Sequence, residues 1–535
     1  MLFSVATAAL WPAAGAAQDE PAREALRAAI ERIRYNGNAF AAGIHAPTLV
    51  AAFYERREFR SAWREPERVD ALLELVDGTF ADGLEPRDYH RDLIAERRRE
   101  LDGGGTAAER ADFELLLTDS LMSLVHHRRL GKTNPRDQHN SWNAQAPRAE
   151  VDTLELVEQA MAAPSLDTAI EERLKLKPWY QRLRAALADY RRIADAGGWP
   201  LIPEGPKLEA GTSDPRVSAL AARLATSGDL DDAQPYAESQ VMDAALADAV
   251  RRFQARHGLQ EDGVVGPATS RALNVPATMR VQQLRIALER ARWVQDELGA
   301  PFVAVNIAGF RIYVVSGGKV VWESRVVVGK TRQQTPVFTG ALEYLVFNPS
   351  WSVPYSIATR ELLPEIQADP GWFASHDYDL RDLSGTRIDP ATVDWTALSR
   401  RNFPYVLVQR PGPNNALGAV KFIFPNEHSV YLHDTPARAL FSTAERAFSH
   451  GCIRVQDPLA LATLLLSADG WDRARVDAAV ASGKTATVHL AQPMPVLLLY
   501  STANIDPDGT AHFYRDIYDR DARIAAALDA PYTIP

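Results

Sequence analysis

A chain of 535 residues is too long for a single hydrophobic core and points to three or four folded units. Its 46% hydrophobic and 24% charged residues are ordinary for a folded protein, which excludes a disordered or fibrous chain. The net charge of -10 argues against nucleic acid as the main partner, because phosphate binding needs a basic face.

In chain order, Met1 to Trp11 is an apolar run as long as a signal-peptide core, and small residues lead to Gln18 as at a cleavage site. The basic segment that usually opens such a signal is missing. Residues 1–17 read as an export leader, which predicts a periplasmic protein and leaves open an inner-membrane tether through an uncleaved leader. Nothing later resembles a spanning helix of roughly 20 apolar residues. Residues 20–205 read as a helical scaffold. Phe113–Met122 and Trp179–Leu187 repeat apolar positions at helical spacing, and Gly197-Gly198-Trp199-Pro200 stops the last helix. Within this stretch His126-His127-Arg128-Arg129 reads as a solvated helix face.

Residues 212–276 read as a separate three-helix unit. Val217, Leu220, Ala221 and Leu224 make one helix face, and Leu246, Val250 and Phe253 a second. His257-Gly258 reads as a helix end with glycine in the left-handed conformation, Asp262-Gly263 as a turn, and Thr269 as the cap of a third helix. Beyond residue 300 the pattern changes to short strands. Phe302–Ile307 and Arg311–Val315 are followed, across a Gly317-Gly318 hairpin turn, by Lys319–Val328. Further strands are expected at Tyr344–Phe347, Tyr405–Val408, Lys421–Phe424 and Val430–His433. They predict a sandwich or barrel-like domain over 300–490. Residues 356–403 are polar and irregular and read as an inserted lid. The tail, 491–535, is expected to hold two strands, Val496–Tyr500 and His512–Tyr518. The fold class expected is multidomain α+β.

The only cysteine, Cys452, lies in Phe448-Ser449-His450-Gly451-Cys452-Ile453-Arg454-Val455, downstream of Tyr431-Leu432-His433-Asp434-Thr435-Pro436. A thiol near neutral pH needs a base or a positive field to become a nucleophile, and His433 and His450 could each supply it. Gly451 lets the backbone approach a substrate carbonyl, where the amides beside the cysteine could face an oxyanion. Asp457-Pro458 reads as the cap and first residue of a helix whose positive end would favour the thiolate. The rival reading is a zinc site from His428, His433, His450 and Cys452, but the spacing fits no common finger or ribbon.

The arrangement resembles the L,D-transpeptidase signature: a histidine, a gap of about fifteen residues, then Ser/Thr-His-Gly-Cys. The resemblance extends to Gly418–Asn426, to Val327-Val328-Gly329-Lys330 with Thr335-Pro336, and to Trp351 in Asn348–Pro354. Arg454 stands where many members have asparagine and resembles the large Gram-negative branch. What the resemblance implies is a catalytic set of Cys452 as acylated nucleophile and His433 as base, oriented by a backbone carbonyl near Ser449. Amides of Gly451 and Cys452 would form the oxyanion hole, with Ser449 and His450 in support. Tyr431, Arg454 and Trp351 would contact substrate. It implies no metal or other cofactor. The substrate implied is the peptidoglycan stem peptide, joined in 3→3 cross-links through a diaminopimelate amine; water or a lipoprotein lysine are alternative acceptors. Carbapenem sensitivity is a further family-level expectation. Residues 212–276 resemble a peptidoglycan-binding domain, which makes glycan a second expected partner, and other wall-synthesis proteins are conceivable ones.

Overall fold

The computed structural model describes residues 16–36, 43–139, 141–143, 153–174, 176–294, 301–369 and 371–531. The expected leader therefore lies outside the described residues, except for its last two, which open the helix Ala16–Asn36. No described helix is long and apolar enough to cross a membrane.

The scaffold is built around the helix Ala107–Leu130. A capping box of Thr106 and Glu109 starts it, and Gly131 at φ 92° ends it. Leu115, Leu117, Leu121, Met122 and Leu124 are buried on several sides, so neighbouring helices surround it rather than one face meeting water. Its polar residues are correspondingly paired. Asp119 accepts from the amides of His45 and Ala46, just before the helix Pro47–Arg56, and from His90. The expectation of a solvated face at 126–129 is wrong for its central pair. His127 and Arg128 are buried, His127 against the Tyr89 hydroxyl and Arg128 between Asp82 and Glu171.

Helices Val217–Thr226, Ala244–Arg256 and Pro267–Leu273 enclose a second core, with Leu220, Leu224, Leu246, Val250, Phe253 and Leu273 buried. Gly258 and Gly263 hold the positive φ that their turns require. The third helix is not capped by Thr269. It begins at Pro267, and the Thr269 hydroxyl instead donates to the Val264 carbonyl inside the turn that Gln254 braces.

The catalytic region is a nine-stranded sheet with a smaller sheet attached. Its strands are β1 (Phe302–Asn306), β2 (Arg311–Ser316), β3 (Lys319–Gly329), β4 (Phe338–Phe347), β9 (Val420–Ile423), β10 (Leu432–His433), β11 (Ala447–Ser449), β12 (Ile453–Val455) and β13 (Ala486–Leu499). They run in the order β11-β3-β12-β10-β9-β4-β13-β1-β2. The long β3 pairs with β2 along its first half and with β12 and β11 along its second, so the sheet closes on itself as a barrel-like layer. Gly317-Gly318 forms the expected two-residue turn between β2 and β3.

The lid is larger and more regular than its polar sequence suggests. Strands β5 (Trp351–Ser352), β6 (Tyr378–Asp382), β7 (Arg387–Ile388) and β8 (Tyr405–Gln409) make a sheet of their own, over a core of Leu363, Ile366, Trp372, Leu380 and Leu407. Its boundaries thus lie outside 356–403, and Tyr405–Gln409 belongs to it rather than to the main sheet. The tail also differs from expectation. Residues 491–499 complete β13, between β4 and β1. Only β14 (Ala503–Ile505) and β15 (Ala511–Phe513) follow as a small hairpin, and the chain then forms a helix, Asp521–Asp529, rather than a strand through Tyr518.

Candidate active site

Three adjacent strands assemble the site. His433 on β10 lies opposite Lys421 on β9 and beside Arg454 on β12. Side chains in one row across paired strands leave the sheet on the same face, so Lys421, His433 and Arg454 share a face. The Ile453 amide donates to the Tyr431 carbonyl at 3.1 Å, which sets Tyr431 alongside Cys452 at the next step.

Cys452 is a free, half-buried thiol. Its sulfur lies 3.8 Å from the carbonyl oxygen of Ser429, a residue held at φ 55°. Burial is the largest influence on this thiol and pushes its pKa above the ordinary value. The Tyr431 amide and hydroxyl, then Arg454 and Lys421, pull it back by stabilising the thiolate. The Trp351 indole bonds the same Tyr431 hydroxyl, so Trp351, Tyr431 and Cys452 form one chain of contacts.

His433 is buried, and burial, reinforced by Arg454 and Lys421, lowers its pKa to about 3. It is therefore neutral at physiological pH. Its Nδ1 lies 2.5 Å from the Asp434 carbonyl oxygen, an acceptor, so Nδ1 carries the proton and Nε2 the free lone pair. The orienting carbonyl is thus that of Asp434, not one near Ser449. Asp434 is itself pinned, accepting from the amides of Ala419 and Thr435 and from Arg438. Among the described residues no hydrogen bond joins the thiol to the imidazole. Such contacts are often long in the ligand-free state.

The Ser-His-Gly-Cys segment is a braced turn. The Ser449 hydroxyl donates to the Cys452 carbonyl at 2.5 Å and accepts from the Gly451 amide at 3.1 Å, while the Gly451 carbonyl accepts from Thr335 at 2.8 Å. Gly451 sits at φ 119°, a conformation that demands glycine. Its amide is already engaged by the Ser449 hydroxyl, so it does not stand free as the expected pair requires. His450 points to the lid: its Nε2 lies 2.6 Å from Glu361 and 3.4 Å from Lys330. The helix Pro458–Leu465 follows as expected, but the Asp457 side chain does not cap it and accepts from Ser324 instead. His428, against Phe338, does not join His433, His450 and Cys452 in a ligand set. One described group has metal-ligand character, His45, His90 and Asp119 in the scaffold, and the His45 and Ala46 amides and the His90 ring already engage its carboxylate.

Reasoning from sequence alone missed Lys421, Asp434, Ser429 and Glu361 as neighbours of the site. Lys421 had a signal, its place in the Gly418–Asn426 run, but the pairing that aligns it with His433 is not readable from one strand.

Residues 300–487 match the family described as L,D-transpeptidase catalytic domain, 48–187 match "Scaffold domain", and 213–273 match "Putative peptidoglycan binding domain". A Haemophilus influenzae protein named "Putative L,D-transpeptidase" is 37% identical over 246 residues, 46% of this chain and 49% of that protein. The chain thus spans about half the length of this curated relative. Among solved structures, an L,D-transpeptidase from Mycobacterium smegmatis is 15% identical, with a TM-score of 0.18, over 37% of this chain and 57% of that one. Another, from Stackebrandtia nassauensis, is 12% identical, with a TM-score of 0.21, over 56% and 96%. Likeness at these TM-scores carries no weight for the site. The three matched segments follow one another along one chain, and the thiol and the imidazole both fall inside the third; the chain carries a domain that matches the L,D-transpeptidase catalytic domain, behind a scaffold-type and a peptidoglycan-binding-type unit.

Proposed function

We propose that this protein is a periplasmic acyltransferase that cross-links peptidoglycan stem peptides through a thioester on Cys452. The observation that carries the reading is a neutral His433, its Nδ1 proton committed to Asp434 and its Nε2 free, on the strand beside the one that Cys452 leads into. A raised thiol pKa and a lowered imidazole pKa describe a neutral pair, so the proton moves during attack rather than before it.

The steps balance as follows. Sulfur attacks the carbonyl at the L-centre of a donor tetrapeptide, and the thiol proton passes to His433 Nε2. The oxyanion develops against the Cys452 amide. The C–N bond to the terminal D-residue breaks, His433 returns the proton to the departing amine, and a thioester remains. An acceptor amine then attacks, gives its proton to His433, and the sulfur leaves and is reprotonated. With a diaminopimelate side-chain amine as acceptor the product is a 3→3 cross-link; the 212–276 unit holds the enzyme near glycan. Trp351, Tyr431 and Arg454 line the donor side, and the chemistry needs no cofactor.

Incubation of the full chain with disaccharide-tetrapeptide, wild type against Cys452→Ala, checks this by product mass. The expected product is a dimer lacking one D-residue, absent from the variant. A tripeptide product would make water the acceptor. A variant that cross-links at the native rate would end the proposal.

A further inference from the structure

Lys421 and Arg454 flank His433 in one row on three neighbouring strands, and both exert their charge on Cys452. Both are half-buried. Yet no acidic group pairs with either among the described residues, and the Arg454 Nε is buried without a partner. The Lys421 ammonium lies 5.2 Å from the centre of the Tyr431 ring. Elsewhere Arg292 is paired with Glu289 and Arg256 with Asp229, while Arg223, Arg280 and Arg446, buried without an acid, each rest on an aromatic ring and donate to a backbone carbonyl. Holding two cations partly out of water without a counterion is costly, and such groups persist where a ligand supplies the charge.

The thiolate cannot be that ligand. It carries one charge against two cations, exists only during attack, and disappears when the thioester forms. A donor stem brings a permanent anion to this place. In the departing D-residue, the carboxylate carbon lies two atoms beyond the scissile nitrogen, within roughly 5 Å of the carbonyl that sulfur attacks. Lys421 and Arg454 stand on either side of His433, on the strands next to the turn that carries Cys452.

We propose that Lys421 and Arg454 form a carboxylate clamp that grips the terminal α-carboxylate of the departing D-residue and thereby selects donor stems ending in a free acid. The clamp rests on the transpeptidase reading and adds a specificity to it. Once the D-residue leaves, the two cations stand open again for the next donor.

The test uses the full chain and three tetrapeptide stems: one with a C-terminal acid, one with that acid as its carboxamide, and one with only the diaminopimelate side-chain carboxylate amidated. Wild type is expected to favour the acid over the C-terminal amide by roughly ten- to a hundredfold in kcat/KM, the range for one charged hydrogen bond or two. Lys421→Met and Arg454→Met should each shrink that ratio about tenfold, and Lys421→Arg should keep most of it. Iodoacetamide alkylation of Cys452 in each variant reports the thiol, and circular dichroism reports the fold. The clamp is overturned if the acid-to-amide ratio survives both substitutions, or if only amidation of the side-chain carboxylate matters. It also falls if Lys421→Met slows both stems in proportion to alkylation. Wild type that turns over acid and amide alike sinks the clamp and leaves the transpeptidase reading standing. Wild type that consumes neither stem and gains no acyl mass on Cys452 sinks the reading itself.

Discussion

At Cys452 two opposing effects meet. Burial withdraws water from the sulfur and favours the thiol, while Tyr431, Arg454 and Lys421 favour the thiolate, and burial wins. His433, with its pKa near 3, is not the cation of a resting thiolate–imidazolium pair. Alkylation of Cys452 by iodoacetamide, followed against pH, should therefore rise with a midpoint above about 8.5, the value of a free thiol. A resting ion pair would place that midpoint well below 7. His433→Ala should leave the midpoint nearly unmoved and still abolish acylation by a donor stem. A midpoint that climbs steeply on removing the imidazole would show an ion pair and contradict the neutral-pair mechanism. The histidine–cysteine constellation was legible in the sequence because both lie in short, tightly spaced segments. Lys421 was not, because its place at the site depends on antiparallel register between β9 and β10. The orienting role of the Asp434 carbonyl was equally hidden, since every residue has a carbonyl and only the fold chooses one.

Among the elements, the lid and the Ser-His-Gly-Cys turn are joined by one visible polar contact, Glu361 to His450. Glu361 lies in the π-helical stretch Ala358–Leu362, a local widening of the helix that follows Pro354. The pair is partly exposed, with side-chain exposures of 26% for His450 and 47% for Glu361, so its share of global stability is small, about 0–1 kcal/mol. Its effect is local, on how firmly the inserted segment is held to the Ser-His-Gly-Cys turn. Glu361→Gln should leave the unfolding midpoint almost unchanged while raising amide hydrogen exchange across 356–403. Exchange equal to wild type in that segment would show that Trp351 and the surrounding backbone hold the lid alone. The lid's sheet escaped sequence analysis because β5 pairs with β8 across more than fifty residues, and Gly, Asp and Pro turns dominate what lies between. Helix Ala107–Leu130 misled in the opposite way. Buried on most sides, it has no single polar face, so the polarity of His127 and Arg128 does not mark solvent.

Across the whole molecule the tail after β13 ties the units together. The Arg256 guanidinium in the 212–276 unit donates to the Ala511 carbonyl, Arg290 pairs with Asp521, Tyr518 donates to the Gly329 carbonyl, and Lys132 of the scaffold reaches the Leu528 carbonyl. A chain fastened in this way should respond to acid as a whole, and the groups that would carry the response are spread across all three units. His127 and His139 lie in the scaffold, His257 in the three-helix unit and His433 in the catalytic domain. Burial, first among the causes for each, lowers all four, His139 and His433 to about 3. In the unfolded chain each returns to about 6.5. Between those values the unfolded state binds protons that the folded state refuses, so stability falls as pH falls. For His139 and His433 the contribution is complete above about pH 6.5 and lost progressively toward pH 3, at up to about 1.4 kcal/mol per pH unit each, and His127 and His257 act in the same direction. Urea unfolding at pH 7, 6 and 5 should show a declining midpoint well before the carboxylates titrate, and His257→Gln should flatten the decline. A midpoint constant from pH 7 to 5 would mean that the buried imidazoles find water or a counter-charge in solution, and that the packing around them is looser than described.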